Sequence, residues 1–139
     1  MIEYFPVLSD FTQLEAWKKA IDLAVRIHAI TKDFPREEIY GITSQMRRAA
    51  SSIPANIAEG FDRHTSADKM HKYVQARGEL IELMSHIHYV HRVQMLKEEI
   101  FKTLLGECEL VHKLLNGLIR RMNSSPIPNP NPSHLLSEQ

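Results

Sequence analysis

Histidine is the side chain best equipped for chemistry in this sequence, and His86, His88 and His91 stand close together. At helical spacing His88 and His91 share a face while His86 points elsewhere, so the trio reads as a solvated or interfacial cluster rather than a metal centre. Glu109-Leu110-Val111-His112 repeats the Glu-x-x-His element of di-iron bundles. That chemistry needs two such elements and two further inward glutamates, and only one copy is present, lying off the apolar stripe of its helix. The lone cysteine, Cys108, has no partner for an intrachain disulfide and falls inside that stripe, which marks it as a buried small hydrophobe and not a nucleophile. Serines 44, 51, 52 and 85 have no neighbouring base in the sequence. No glycine-rich phosphate loop follows a strand, because no strand pattern occurs. The expectation is a protein that is not an enzyme and holds no cofactor, with a metal-binding bundle as the weakest of three readings.

Four amphipathic segments have to position these residues. A capping box, Thr12 with Glu15, opens the first, over residues 13–31, with Leu14, Trp17, Ile21, Ala24, Ile27 and Ile30 inward. Phe34-Pro35 ends it. The second starts between Glu37 and Tyr40, carries Ile42, Met46, Ala49, Ala50, Ile53 and Ile57, and stops at Glu59 before Gly60. Pro54 inside it predicts a kink near residues 50–52. The third runs from a Thr65 or Ser66 cap to Arg92, with Met70, Tyr73, Val74, Leu80, Ile81, Met84 and Ile87 inward. The fourth covers residues 97–122 with the stripe Ile100, Leu104, Cys108, Val111, Leu115, Leu118 and Met122. Short connections between such segments predict an all-α fold, an antiparallel up-down-up-down four-helix bundle with a kinked second helix. The bundle is expected over residues 11–122, after a lead-in of residues 1–10 and before a tail of residues 123–139 whose Pro, Ser and Asn content predicts disorder.

Charge is balanced overall, with 17 basic and 17 acidic side chains, so no global field points to nucleic acid or a membrane. Its distribution is uneven. Residues 41–78 carry six basic groups against three acids, and residues 79–110 reverse this with six glutamates against three cations. Such asymmetry suits charge matching between subunits or helices. Neither a secretory leader nor a membrane-length apolar run is visible, which predicts a cytoplasmic protein.

The second segment has a polar seam beside its apolar one: Gln45, Arg48, Ser52, Asn56 and Glu59 recur at steps of three and four. Arg48 and Arg77 need carboxylate or carbonyl partners if that seam is interior, and Glu59 and Glu82 are the candidates; Gly78 offers a flat surface for a close helix. The polar network expected here is Gln45, Arg48, Ser52, Asn56, Glu59, Arg77 and Glu82.

Those residues also carry a resemblance. Phe34-Pro35, Gln45-Met46-Arg47-Arg48-Ala49 and Ser52-Ile53-Pro54-Ala55-Asn56-Ile57-Ala58-Glu59-Gly60 look like the signature of the four-helix-bundle proteins encoded within 23S ribosomal RNA intervening sequences. Lys72-Tyr73, Arg77-Gly78 with Glu82, and Leu114-Leu115-Asn116-Gly117-Leu118-Ile119 extend the match over residues 11–122. That family is similar to the accessory variability protein of diversity-generating retroelements, a homopentameric barrel that binds nucleic acid and the reverse transcriptase. The resemblance implies a homo-oligomer, a pentamer, and a role with RNA or DNA, although the retroelement proteins are basic and this chain is neutral. Arg47, Arg63, Lys69 and Lys72 are the side chains expected on phosphate, gathered on one rim of a ring. The alternative is a protein-only adaptor or scaffold that docks a partner enzyme.

Overall fold

In a computed structural model, residues 10–124 are described, and among them there are helices and no strand. The lead-in through residue 9 and the tail from residue 125 lie outside the described residues. Four long helices follow one another: α1 (Glu15–Thr31), α2 (Ile42–Asp62), α3 (Ser66–Arg92) and α4 (Glu98–Asn123). Short 3-10 turns at Phe11–Gln13 and Arg36–Glu38 precede α1 and α2. Each helix packs on two others; α1 and α3 do not touch, so they occupy opposite corners of a four-cornered bundle.

Direction follows from which residues meet. Gly60 near the end of α2 faces Tyr73 near the start of α3, whereas Arg48 reaches Glu79 and Glu82 further along. Likewise Arg77 meets Asn116 while His91 meets Glu98, so α3 and α4 also run opposite ways.

The core is built from the expected stripes of α2 and α4. Met46, Ala49, Ala50, Ile53 and Ile57 face Leu104, Cys108, Val111, Leu115 and Leu118 in one buried cluster. At the top of the α4 stripe, however, Ile100 is exposed. Pro54 is buried within a continuous α2, where it removes one backbone donor from the ladder.

Several local expectations are corrected. Thr12 does not cap α1: its backbone N–H donates to the Asp10 carboxylate at 2.7 Å, because residues 11–13 close a turn of their own. Leu14 stands at the cap position with no side-chain bond. Nor does Gly60 stop α2, which continues to Asp62. Glycine is needed there for proximity: a Cβ would lie 2.6 Å from Cε1 of the buried Tyr73 ring.

On α3 the buried set is Tyr73, Ala76, Leu80, Leu83, Ile87 and Val90, and Val74 and Ile81 point outward. Apolar residues occupy both faces of this helix, and a single apolar stripe cannot be read from such a pattern. Trp17 and Ala24 of α1 sit at the edge of the core, while Ala16, Ala20 and Leu23 line it.

Helix ends follow local chemistry. The Thr65 hydroxyl accepts from the Asp68 N–H at 3.1 Å, capping α3. At the other end Met95 N–H donates to Val90 O at 2.8 Å and Gln94 N–H to His91 O at 3.0 Å, the paired bonds of a Schellman turn. Gln94 takes φ 67° there, a left-handed position that glycine usually fills. This turn aims α4 back along α3 and so places Phe101 against two histidines.

Candidate interface at the α2–α3 edge

The polar seam of α2 lies at the edge where α2 and α3 meet, open to solvent and not interior. Arg48, 47% exposed in its side chain, is the hub. Its guanidinium donates to Glu79 Oε1 at 3.1 Å, to Glu82 Oε2, and to Gln45 Oε1 at 3.4 Å. Glu82 also meets His86 Nε2 at 3.2 Å. The Arg48 hydrogen bond holds the Glu82 carboxyl below the usual carboxylate range, and the same bond raises Arg48. Further along α2, the Ser52 hydroxyl donates to Arg48 O and the Asn56 amide to Ser52 O, both at 2.9 Å. Those two side chains therefore act on their own helix backbone.

Three clusters replace the single network expected from the sequence. Gln45, Arg48 and Glu82 belong together, joined by Glu79 and His86. Glu79 went unassigned, although its three-residue spacing from Glu82 places both on the same side of α3. Glu59 pairs with Lys72 at 2.9 Å, nearer the other end of the bundle. Arg77 turns away from α2 and donates to Asn116 Oδ1 of α4 at 2.8 Å. Gly78 is exposed and faces neither helix; a Cβ there would meet nothing within 4 Å.

The four side chains expected on phosphate do not share one surface role. Arg47 braces α1 on α2, donating to Thr31 Oγ1 at 2.8 Å and His28 O at 3.3 Å. Lys69 donates to Phe61 O at 2.6 Å and lies over the Phe61 ring, closing the α2–α3 turn. Lys72 is held by Glu59, and Arg63 is exposed at the end of α2. Arg63, Lys69 and Lys72 nevertheless bracket the first turns of α3, whose N-terminal N–H groups favour anions.

Elsewhere His88, His91 and Cys108 are committed to packing. His91 stacks on Phe101 with ring centroids 3.7 Å apart and meets Glu98 Oε1 at 2.7 Å, while His88 meets the same ring edge-on. Burial pushes the Cys108 thiol up to about 12, far from a thiolate. Among the described residues no group of three His, Cys, Asp or Glu side chains converges as metal ligands would. No described helix is long and apolar enough to cross a membrane.

Against the α2–α3 edge stands the seam between the first and last helices. A groove of about 710 Å³ runs between α1 and α4, lined by Leu23, Val25, Ala29, Ile30 and Leu110 with charged side chains on its rim. One ion pair, Arg26 to Glu107 at 2.8 Å, bridges it.

The model of a family described as 23S rRNA-intervening sequence protein matches residues 12–117. Among solved structures, a crystal structure from Bacteroides thetaiotaomicron VPI-5482 is similar, with a TM-score of 0.71 and 25% sequence identity. The similarity covers 76% of this chain and 95% of that one, which is described as a protein with unknown function from the S23 ribosomal protein family. No curated protein matches the chain.

Proposed function

Because the chain belongs to the 23S rRNA-intervening sequence protein family, we propose that it works as a non-enzymatic homo-oligomeric bundle that engages RNA or DNA through phosphate. The observation that carries this reading is the α2–α3 turn, where exposed Arg63 follows α2 and Lys69 and Lys72 stand in the first two turns of the 27-residue α3. Arg63 has no ion-pair partner among the described residues, which leaves its charge for a phosphate; Lys69 and Lys72 shape the turn and add to its field. Repetition of that turn around a ring, five-membered by resemblance to the retroelement protein, makes a rim whose attraction sums over subunits. The non-enzymatic reading draws on the burial of Cys108 and on His86, His88 and His91, each engaged with a phenyl ring or a carboxylate.

Fluorescence anisotropy with a labelled structured RNA and a DNA duplex, at low and moderate salt, tests the reading. Binding should fall steeply with salt, and Arg63→Ala should weaken it and lower the salt slope by about one for each subunit on the nucleic acid. Equal affinity for both probes means backbone recognition; preference for RNA points to a ribosomal RNA context. Absence of binding at low salt sinks the phosphate rim.

A second reading, the protein-only adaptor, is favoured by one observation: Arg47, Lys69 and Lys72 already have partners within the chain. Its mark is a partner protein that stays bound after nuclease treatment and at high salt.

A further inference from the structure

Packing among the described residues leaves two surface features unused. One is the outward face of α3, where Val74, Gly78, Ile81 and Ser85 follow at steps of four, three and four residues and form a single ridge. Val74 is 40% and Ile81 50% exposed, and no charged side chain interrupts the ridge between them. Gly78 sits in mid-helix, where glycine is the poorest helix former after proline, and nothing among the described residues approaches it. Gly60 shows what such a residue does when a partner is present: it admits the Tyr73 ring.

The other feature is the α1–α4 groove, whose apolar wall includes Val25, 65% exposed, and Leu110, 41% exposed. Its rim carries Asp22, Asp33 and Glu107 against Lys19 and Arg26, and among the described residues neither Asp22 nor Asp33 has an ion-pair partner. The ridge on α3 has no acid on its line and ends at Arg92, and Glu79 and Glu82 beside it are already held by Arg48. Convex and concave surfaces, and the signs of their charges, are therefore complementary. They cannot meet within one molecule, because α3 occupies the corner opposite α1.

We infer that the α3 ridge of one copy seats in the α1–α4 groove of the next, a head-to-tail contact between copies of this chain. This assignment rests on the homo-oligomer reading above and names the surfaces that make it. The contact is heterologous, since each copy contributes a different face on each side, and such contacts generate rings when the rotation closes. Apolar side chains at the centre with charges at the margin is also the usual anatomy of a specific interface.

Sedimentation velocity on the full chain separates the possibilities, using Ile81→Glu on the ridge and Val25→Glu in the groove. Both positions are exposed, and unchanged far-UV circular dichroism verifies that each variant folds. Wild type should sediment as a closed oligomer and each variant alone as a monomer. An equimolar mixture should give a dimer and nothing larger, because one intact ridge then finds one intact groove. If Ile81→Glu assembles like wild type, or the mixture stays monomeric, the ridge-in-groove contact is wrong while the oligomer stands. Loss of assembly in Ile81→Glu but not Val25→Glu would mean that ridges pack on each other, which also overturns it. A monomeric wild type at micromolar concentration removes both the contact and the oligomer.

Discussion

The α2–α3 and α1–α4 seams each join two long helices, yet one is closed and the other open. Between α2 and α3 a glycine lets a tyrosine ring reach the backbone, and an arginine ties two glutamates across the edge. Between α1 and α4 a single ion pair spans a groove. Backbone proximity, more than the number of apolar residues, separates them. A residue without Cβ facing a large planar ring draws two helices together, and surface charges then come within bonding distance. Gly106 on α4 faces open space, so the missing side chain there draws no helix closer.

The largest expected effect concerns Cys108, buried in α4 with its thiol raised to about 12. Its reaction with a disulfide reagent at neutral pH should be slower in the native protein than in denaturant by about 10³-fold or more, as marginal global stability implies. Reaction much faster than global unfolding permits would mean that the open seam breathes independently of the closed one. Raised titration also has a definite sign. The neutral thiol is favoured by folding, so this contribution is intact below the unfolded value and is lost as pH rises towards about 12.

Next in size is Gly60→Val, which drives side-chain atoms into the buried Tyr73 ring; a loss of about 3 kcal/mol in denaturant unfolding is expected. A neutral result would remove the glycine–tyrosine approach as the cause of closure. The counterpart on the open side is Gly106→Ala, where nothing crowds a Cβ and the helix gains propensity. A rise of about 0.5–1 kcal/mol is expected, and opposite signs for the two glycines would establish the contrast.

Smaller effects belong to the ion pairs. A double-mutant cycle on Arg48 and Glu82 should return about 0.5–1 kcal/mol of coupling at low salt, since both side chains are more than a third exposed. Glu82 titrates below its ordinary 4.5 because of Arg48, so its contribution is present above that value and is lost as pH falls through the lower folded one. Glu82→Gln should flatten the acid limb of a stability–pH curve. The equivalent cycle on Arg26 and Glu107 should give only about 0.3 kcal/mol, from an isolated pair beside a groove. Coupling there as large as at Arg48 would contradict the distinction between the seams.

The sequence was most legible where one apolar stripe stood alone. On α2 and α4, steps of three and four from Met46 to Ile57 and from Leu104 to Leu118 marked the buried faces without ambiguity. The α3 pattern was misleading because Val74 and Ile81 look as suitable for a core as Leu80 and Ile87. Periodicity finds apolar residues but cannot say which of two faces a neighbour will cover. The polar seam was likewise visible as spacing, and Arg48 with Glu82 as a candidate pair. Its division into three clusters was not visible, because Arg77 chose an amide on α4 that lies 39 residues away. Glycine commonly ends a helix, so Gly60 reads as a terminator in the sequence; only the approach of Tyr73 shows why glycine stands there.

The order and approximate lengths of four helices, the absence of strands among the described residues, and the two clean core stripes follow from local periodicity, capping and proline placement, which act over a few residues. Family membership is legible for the same reason, since its motifs are contiguous stretches. What tertiary structure decided is which corner each helix occupies, which cations are already held by a carbonyl or carboxylate, and which apolar faces remain uncovered. Those outcomes depend on contacts between residues far apart in the chain, and hydrogen-bond reach of about 3 Å is too short for any spacing rule to anticipate them.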